Sequence, residues 1–153
     1  MGKLRTALGL MVSLLAVQAC STVAGGTGSV NPVVGAWLVN DVDAPFPYHM
    51  YVFNADGTLQ QANPDAGDPK TSDSDGKGIW ITGGDRIKGR WVEVVADRTT
   101  HRFTGRTEVS FDIKVNGDTF SGTETARFYD AGGVLTGGPT APGRLEGRRI
   151  TYP

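Results

Sequence analysis

A chain of 153 residues is one domain's worth of sequence, and a formal net charge of −1 offers no electrostatic ground for a nucleic-acid partner. Its 22 glycines fall between short alternating runs, a composition that suits strands and turns.

The opening segment reads as an export signal and not as part of the fold. Lys3 and Arg5 give a basic start. Ala7 to Val17 is apolar except for Ser13, and the stretch ends in Val17-Gln18-Ala19-Cys20. The apolar run is too short to cross a bilayer core of ~30 Å, which takes about 20 apolar residues. Cys20 is the only cysteine, so no internal disulfide can form. Its place after Ala19 is similar to the lipobox of bacterial lipoproteins, where the cysteine receives diacylglycerol and becomes the first mature residue. Gln18 departs from the small residue usual there, and plain cleavage after Ala19 is the competing expectation. The expected organisation is a signal peptide over 1–19, a Gly-, Ser- and Thr-rich tether over 20–32, and one domain over 33–153. The expected location is the periplasm or cell surface, with a lipid holding the protein to the membrane. Release as a soluble secreted protein is the alternative.

Eight strands are predicted after Pro32. They are Val33 to Val39, Tyr48 to Phe53, Thr58 to Ala62, Gly78 to Thr82, Ile87 to Ala96, Phe103 to Val115, Thr119 to Tyr129 and Leu145 to Thr151. Asn54-Ala55-Asp56-Gly57 and Asn116-Gly117-Asp118 supply hairpin turns, because Asn and Gly accept positive φ. No stretch of this part has a helical period. The sixth strand alternates most cleanly, with Phe103, Thr107, Val109, Phe111, Ile113 and Val115 on one face. Period two with one apolar face means a sheet with one side in water. Meandering strands without covering helices must hide their own edges. Closure into an antiparallel barrel of about eight strands does so, with room for packed side chains or one small ligand.

Gly35-Ala36-Trp37 opens the first strand, and Gly147-Arg148-Arg149-Ile150 lies near the end of the last. A G-x-W with a late basic residue lying over the tryptophan resembles the calycin superfamily of lipocalin-like barrels. The resemblance implies that Trp37 plugs the closed end and that Arg149 stacks on its indole. Lipocalin disulfides and the late lipocalin helix are absent, so the resemblance is to the topology. A sandwich or jelly roll is the alternative fold.

Residues with chemistry follow from the alternation. Phe120, Gly122, Glu124, Ala126 and Phe128 share one face of the seventh strand, which puts Glu124 among apolar groups. Ile87, Gly89, Trp91, Glu93 and Val95 share a face of the fifth, although Val92 and Val94 argue for the other face. Each carboxyl is either paired with an arginine such as Arg90 or Arg149, simply exposed, or buried, protonated and available as a general acid or base. His49 shares a face with Tyr51 and Phe53 and is either a ligand contact or a satisfied rim histidine. His101 lies in a polar turn. Asn63 to Lys77 is the longest irregular stretch and is expected to be a mobile gate at the end opposite Trp37. Its Asp73-Ser74-Asp75-Gly76 misses the EF-hand spacing, and Gly25-Gly26-Thr27-Gly28 neither follows a strand nor opens a helix, so no metal or phosphate loop is expected.

No pattern identifies an enzyme or a cofactor. The first expectation is a lipid-anchored protein that binds a small, mostly apolar molecule. Its lining would be Trp80, Trp91, Phe103, Phe111, Phe120 and Phe128, with His49 and Tyr51 as polar contacts. The rival is a barrel enzyme of cyclase, isomerase or lyase type, as the allene oxide cyclases are, using Glu124, Glu93 or His49. A solid-core interaction module is the third possibility.

Overall fold

The computed structural model describes residues 30–44, 46–64 and 68–153. The signal segment, Cys20, most of the tether and Asp65 lie outside the described residues. Ten strands occur in the described chain: β1 (Gly35–Asp41), β2 (Tyr48–Phe53), β3 (Thr58–Ala62), β4 (Thr71–Asp73), β5 (Gly76–Gly83), β6 (Arg86–Asp97), β7 (Phe103–Asn116), β8 (Thr119–Asp130), β9 (Leu135–Gly137) and β10 (Gly143–Arg149). Eight of them form a closed antiparallel barrel in the order β1, β2, β3, β5, β6, β7, β8, β10. β10 closes the ring by pairing with β8 on one side and β1 on the other. The fold is therefore the all-β barrel that the alternation and the lack of covering helices imply, and not a sandwich.

The two additional strands are three residues each. β4 pairs with the far end of β6, and β9 pairs with the far end of β8. β4 corrects one expectation, because part of the stretch from Asn63 to Lys77 is regular. Thr71 to Asp73 is paired with Val95 to Asp97, Ser74 N–H donates to the Val94 carbonyl at 3.0 Å, and Arg98 Nε donates to the Thr71 carbonyl at 2.7 Å. Backbone groups satisfied in this way argue against a freely opening loop over these residues.

The barrel has a solid half and a hollow half. Trp37 is wholly buried in the solid half, its indole N–H donating to the Val33 carbonyl at 2.7 Å. The Arg149 guanidinium lies 4.2 Å above its ring, as expected, and donates to the Val34 carbonyl at 2.8 Å and to the Pro32 carbonyl. Phe120 packs against Trp37 at 5.1 Å between ring centroids, and Phe53 meets both Phe111 and Phe120 edge-on. Two glycines make this density possible. A Cβ on Gly147 would stand far inside contact distance of the Phe120 ring, and one on Gly89 far inside that of the Phe111 ring. Small residues on one wall thus receive the large residues of the other.

Candidate functional site

Above Tyr51 the packing stops and a cavity of about 400 Å³ opens toward the end opposite Trp37. The inward positions explain the change. Lower in the barrel they are Trp37, Phe53, Phe111 and Phe120, which fill the lumen. Higher up they are Asp41, His49, Thr107 and Ala126, which are shorter or polar. Asn63 and Asp73 line the mouth, so the segment after β3 does lie at the end opposite Trp37. Phe46, Phe128, Thr140 and Ala141 also line the wall.

Four side chains make the floor. Trp91 Nε1–H donates to the Tyr51 hydroxyl at 3.0 Å, and that hydroxyl donates to Glu124 Oε2 at 3.3 Å. Glu124 in turn shares a hydrogen bond with the carboxyl of Asp41. Two carboxyls can share a hydrogen bond only if the pair retains a proton. Burial first, then the hydrogen bond and charge of Asp41, push the Glu124 carboxyl up to about 9. The Tyr51 hydroxyl is also raised well above its ordinary value, by burial and then by the neighbouring Glu124. Asp41 Oδ1 accepts the Asp43 amide at 3.2 Å, which ends the chain of bonds.

Glu93 stands higher on the same wall. Burial pushes its carboxyl up to about 7, Thr107 donates a hydrogen bond that opposes the rise, and the charge of Asp73 adds to it. Neither Glu93 nor Glu124 is paired with Arg90 or Arg149. Arg90 meets Glu108 at 3.3 Å on the outer surface, and Arg149 meets Asp118 at 3.0 Å at the other end.

His49 lines the cavity, but its ring is engaged on both nitrogens. Nε2 lies 2.8 Å from the Phe46 carbonyl, which only accepts, so Nε2 carries the proton. Nδ1 lies 3.0 Å from the Gln61 amide nitrogen, whose oxygen already accepts the Gly76 N–H at 2.9 Å. Gln61 therefore donates to Nδ1, and the tautomer is fixed. A histidine held in this way positions the mouth and has no free lone pair for a reacting group.

Of the expected lining, the structure brings together His49, Trp91, Phe128, Glu93 and Glu124, with the Tyr51 hydroxyl bonded beneath. Trp80, Phe111 and Phe120 do not line the cavity. They are buried in the solid half, where Trp80 packs on Phe53 and donates to the Asn54 carbonyl. Phe103 is 50 % exposed, since β7 there runs past the bulge between Val95 and Ala96. Asp41, Phe46 and Gln61 were not singled out in the sequence, yet a signal existed for two of them. Asp41 continues the inward count Trp37, Val39, Asp41, and Gln61 continues Leu59, Gln61. Phe46 lies between strands, where no period applies. No protein-family model matches this chain, and neither a curated protein nor a solved structure does.

Proposed function

We propose that this chain is an exported binding protein that holds one small, largely apolar molecule in the hollow half of its barrel. The observation that carries the reading is the cavity itself, about 400 Å³ and open at one end, with Trp91, Phe46, Phe128 and Val109 on its wall. That volume is in the range of small-molecule sites, and an apolar wall with a few convergent polar groups is their usual chemistry. The neutral fluorophore N-phenyl-1-naphthylamine is expected to bind saturably, one per chain, with enhanced emission. Ala126 lines the cavity, so Ala126→Phe should fill it and abolish the enhancement without unfolding the protein. Absence of saturable binding by the wild type would favour an interaction module that holds no small molecule.

Three further points belong to the same proposal. The Trp37–Arg149 stack at the closed end supports a place among the lipocalin-like barrels of the calycin superfamily. The basic start, the apolar run and the lone Cys20 support lipid attachment. The first described residues lie at the closed end, with Asn31 bonded to Thr82. Mass spectrometry of protein extracted from membranes is expected to find a chain beginning at Cys20 and carrying diacylglycerol. An unmodified chain in the soluble fraction would exclude the anchor.

One observation favours a second reading. Glu124 is bonded to Tyr51 at the cavity floor and its carboxyl is pushed up to about 9, which is the chemistry of a general acid and suits the isomerase and cyclase class. Turnover of a bound compound, lost in Glu124→Gln while binding persists, would establish it.

A further inference from the structure

Among the described residues, the cavity wall carries five carboxyl groups, Asp41, Asp43, Asp73, Glu93 and Glu124, and no lysine or arginine. These groups do not sit on an open surface. They line a cavity open at one end, together with an indole and two phenyl rings, and the described residues contain no arrangement of them tight enough for a metal ion. Three carboxylates outside the cavity are matched to cations. Asp112 meets Arg86 and Lys88, Glu108 meets Arg90 and Arg106, and Asp118 meets Arg149. Inside the cavity the balancing charge is missing, and a retained proton takes its place at the floor.

Resting on the binding reading above, we infer that the cavity takes a small organic ammonium ion with an apolar body, its N–H groups held between Asp41 and Glu124. The ammonium supplies the positive charge that no side chain of the wall provides. Its donors take the carboxyl oxygens that now share one proton, and the proton leaves Glu124 for solvent. The apolar body lies against Val109, Phe128 and the Trp91 ring, where an aromatic face also favours a cation. A carboxylate ligand would meet five acids and no donor cation.

The groups facing the Glu124 carboxyl set the pH behaviour. β1 presents Asp41, β2 presents Tyr51 and His49, β6 presents Glu93, and β4 presents Asp73. Asp43 follows β1, while the nearby wall of β7 contributes Thr107 and Val109, and Gly143 is the cross-strand neighbour on β10. All the charged members are acids, so raising the pH through the range in which Glu124 releases its proton makes the site more attractive to a cation. Ammonium affinity should therefore rise with pH between about 6 and 9, with a limiting slope of about tenfold per unit.

Three probes of one shape separate the terms: 2-phenylethylamine, 2-phenylethanol and 3-phenylpropanoate, titrated calorimetrically into the purified exported protein. The amine is expected to bind at least about tenfold tighter than the alcohol, the factor that one charge-assisted hydrogen bond supplies, and the acid weakest of the three. Heats in two buffers of different ionisation enthalpy should show proton release on amine binding only. Glu124→Gln keeps the size and the Tyr51 contact but cannot become anionic. It should lose the amine preference and its proton release. Asp41→Asn is the second variant, with the same expected loss. An amine that binds no tighter than the alcohol, or an amine preference that survives in both variants, overturns the ammonium assignment. Alcohol or N-phenyl-1-naphthylamine binding in that case leaves the binding reading standing. Failure of the naphthylamine and all three probes overturns both.

Discussion

Trp37→Ala is expected to lower the unfolding free energy by about 3–5 kcal/mol, the usual cost of removing a large aromatic from a core. Three separate losses sum at this position. Trp37 is wholly buried, so the full ring volume is vacated, and its neighbour Phe120 at 5.1 Å loses its facing surface. The Val33 carbonyl, now accepting the indole N–H at 2.7 Å, is left without that partner. Arg149 loses the ring beneath it, although its bonds to Val34 and Asp118 persist. In a domain of this size the melting temperature should fall by more than about 10 °C. Probe binding at temperatures where the variant is still folded should not change, because Trp37 is not on the cavity wall. An unchanged melting temperature would show that the plug does not hold the barrel together. Altered probe affinity in the folded variant would show that the two halves of the lumen are coupled.

Much of the barrel was legible because period two is a strict constraint. Every strand of the eight-membered ring lies within a few residues of a predicted run, and the inward face of β8, from Phe120 through Glu124 to Phe128, follows the alternation. On β6 the competition between Trp91, Glu93 and Val95 on one face and Val92 and Val94 on the other is settled by the neighbours. Trp91 turns inward to Tyr51, and Val94 is left half exposed. β4 and β9 could not be read, because three polar or mixed residues carry no period, and their pairing depends on the overhanging ends of β6 and β8. The lining was less legible than the fold. Alternation says which residues point inward but not at which height, and height decides whether an aromatic fills the solid half or faces the cavity. Phe111 and Phe120 differ from Phe128 in that respect alone. Asp41 was legible by counting and was missed because a strand-end aspartate ordinarily meets water. Here it meets Glu124 across the closed ring, a proximity that arises only once β10 joins β8 to β1.

The wild-type protein is expected to be most stable at mildly acidic pH and to lose stability steadily as the pH rises toward 9. The Glu124 carboxyl stands at about 9 in the folded protein against 4.5 when exposed. Between these values the folded state keeps a proton that the unfolded state has released, so the unfolding free energy falls as pH increases. The contribution is fully present below the unfolded value and is lost as pH passes through the folded one. At about 1.4 kcal/mol per unit, the span amounts to several kcal/mol. Glu93, at about 7, acts in the same direction over the lower part of the range, damped by the solvent it still reaches. On the acid side the sign reverses. Asp56, Asp68, Asp85 and Asp97 are held below the ordinary carboxylate value by hydrogen bonds to their charged forms, and the stability they add is lost as pH falls through that range. Urea melts at pH 5, 7 and 9 on the wild type and on Glu124→Gln measure the effect. Glutamine imitates the protonated acid at every pH, offering a donor to Asp41 and an acceptor to Tyr51. Its stability curve should therefore be flatter than that of the wild type, near it at pH 5 and above it at pH 9. A Glu124→Gln curve parallel to the wild type would mean that the titrating group lies elsewhere. Curves that part in this way would show that the ionisable floor costs the fold stability at neutral and alkaline pH.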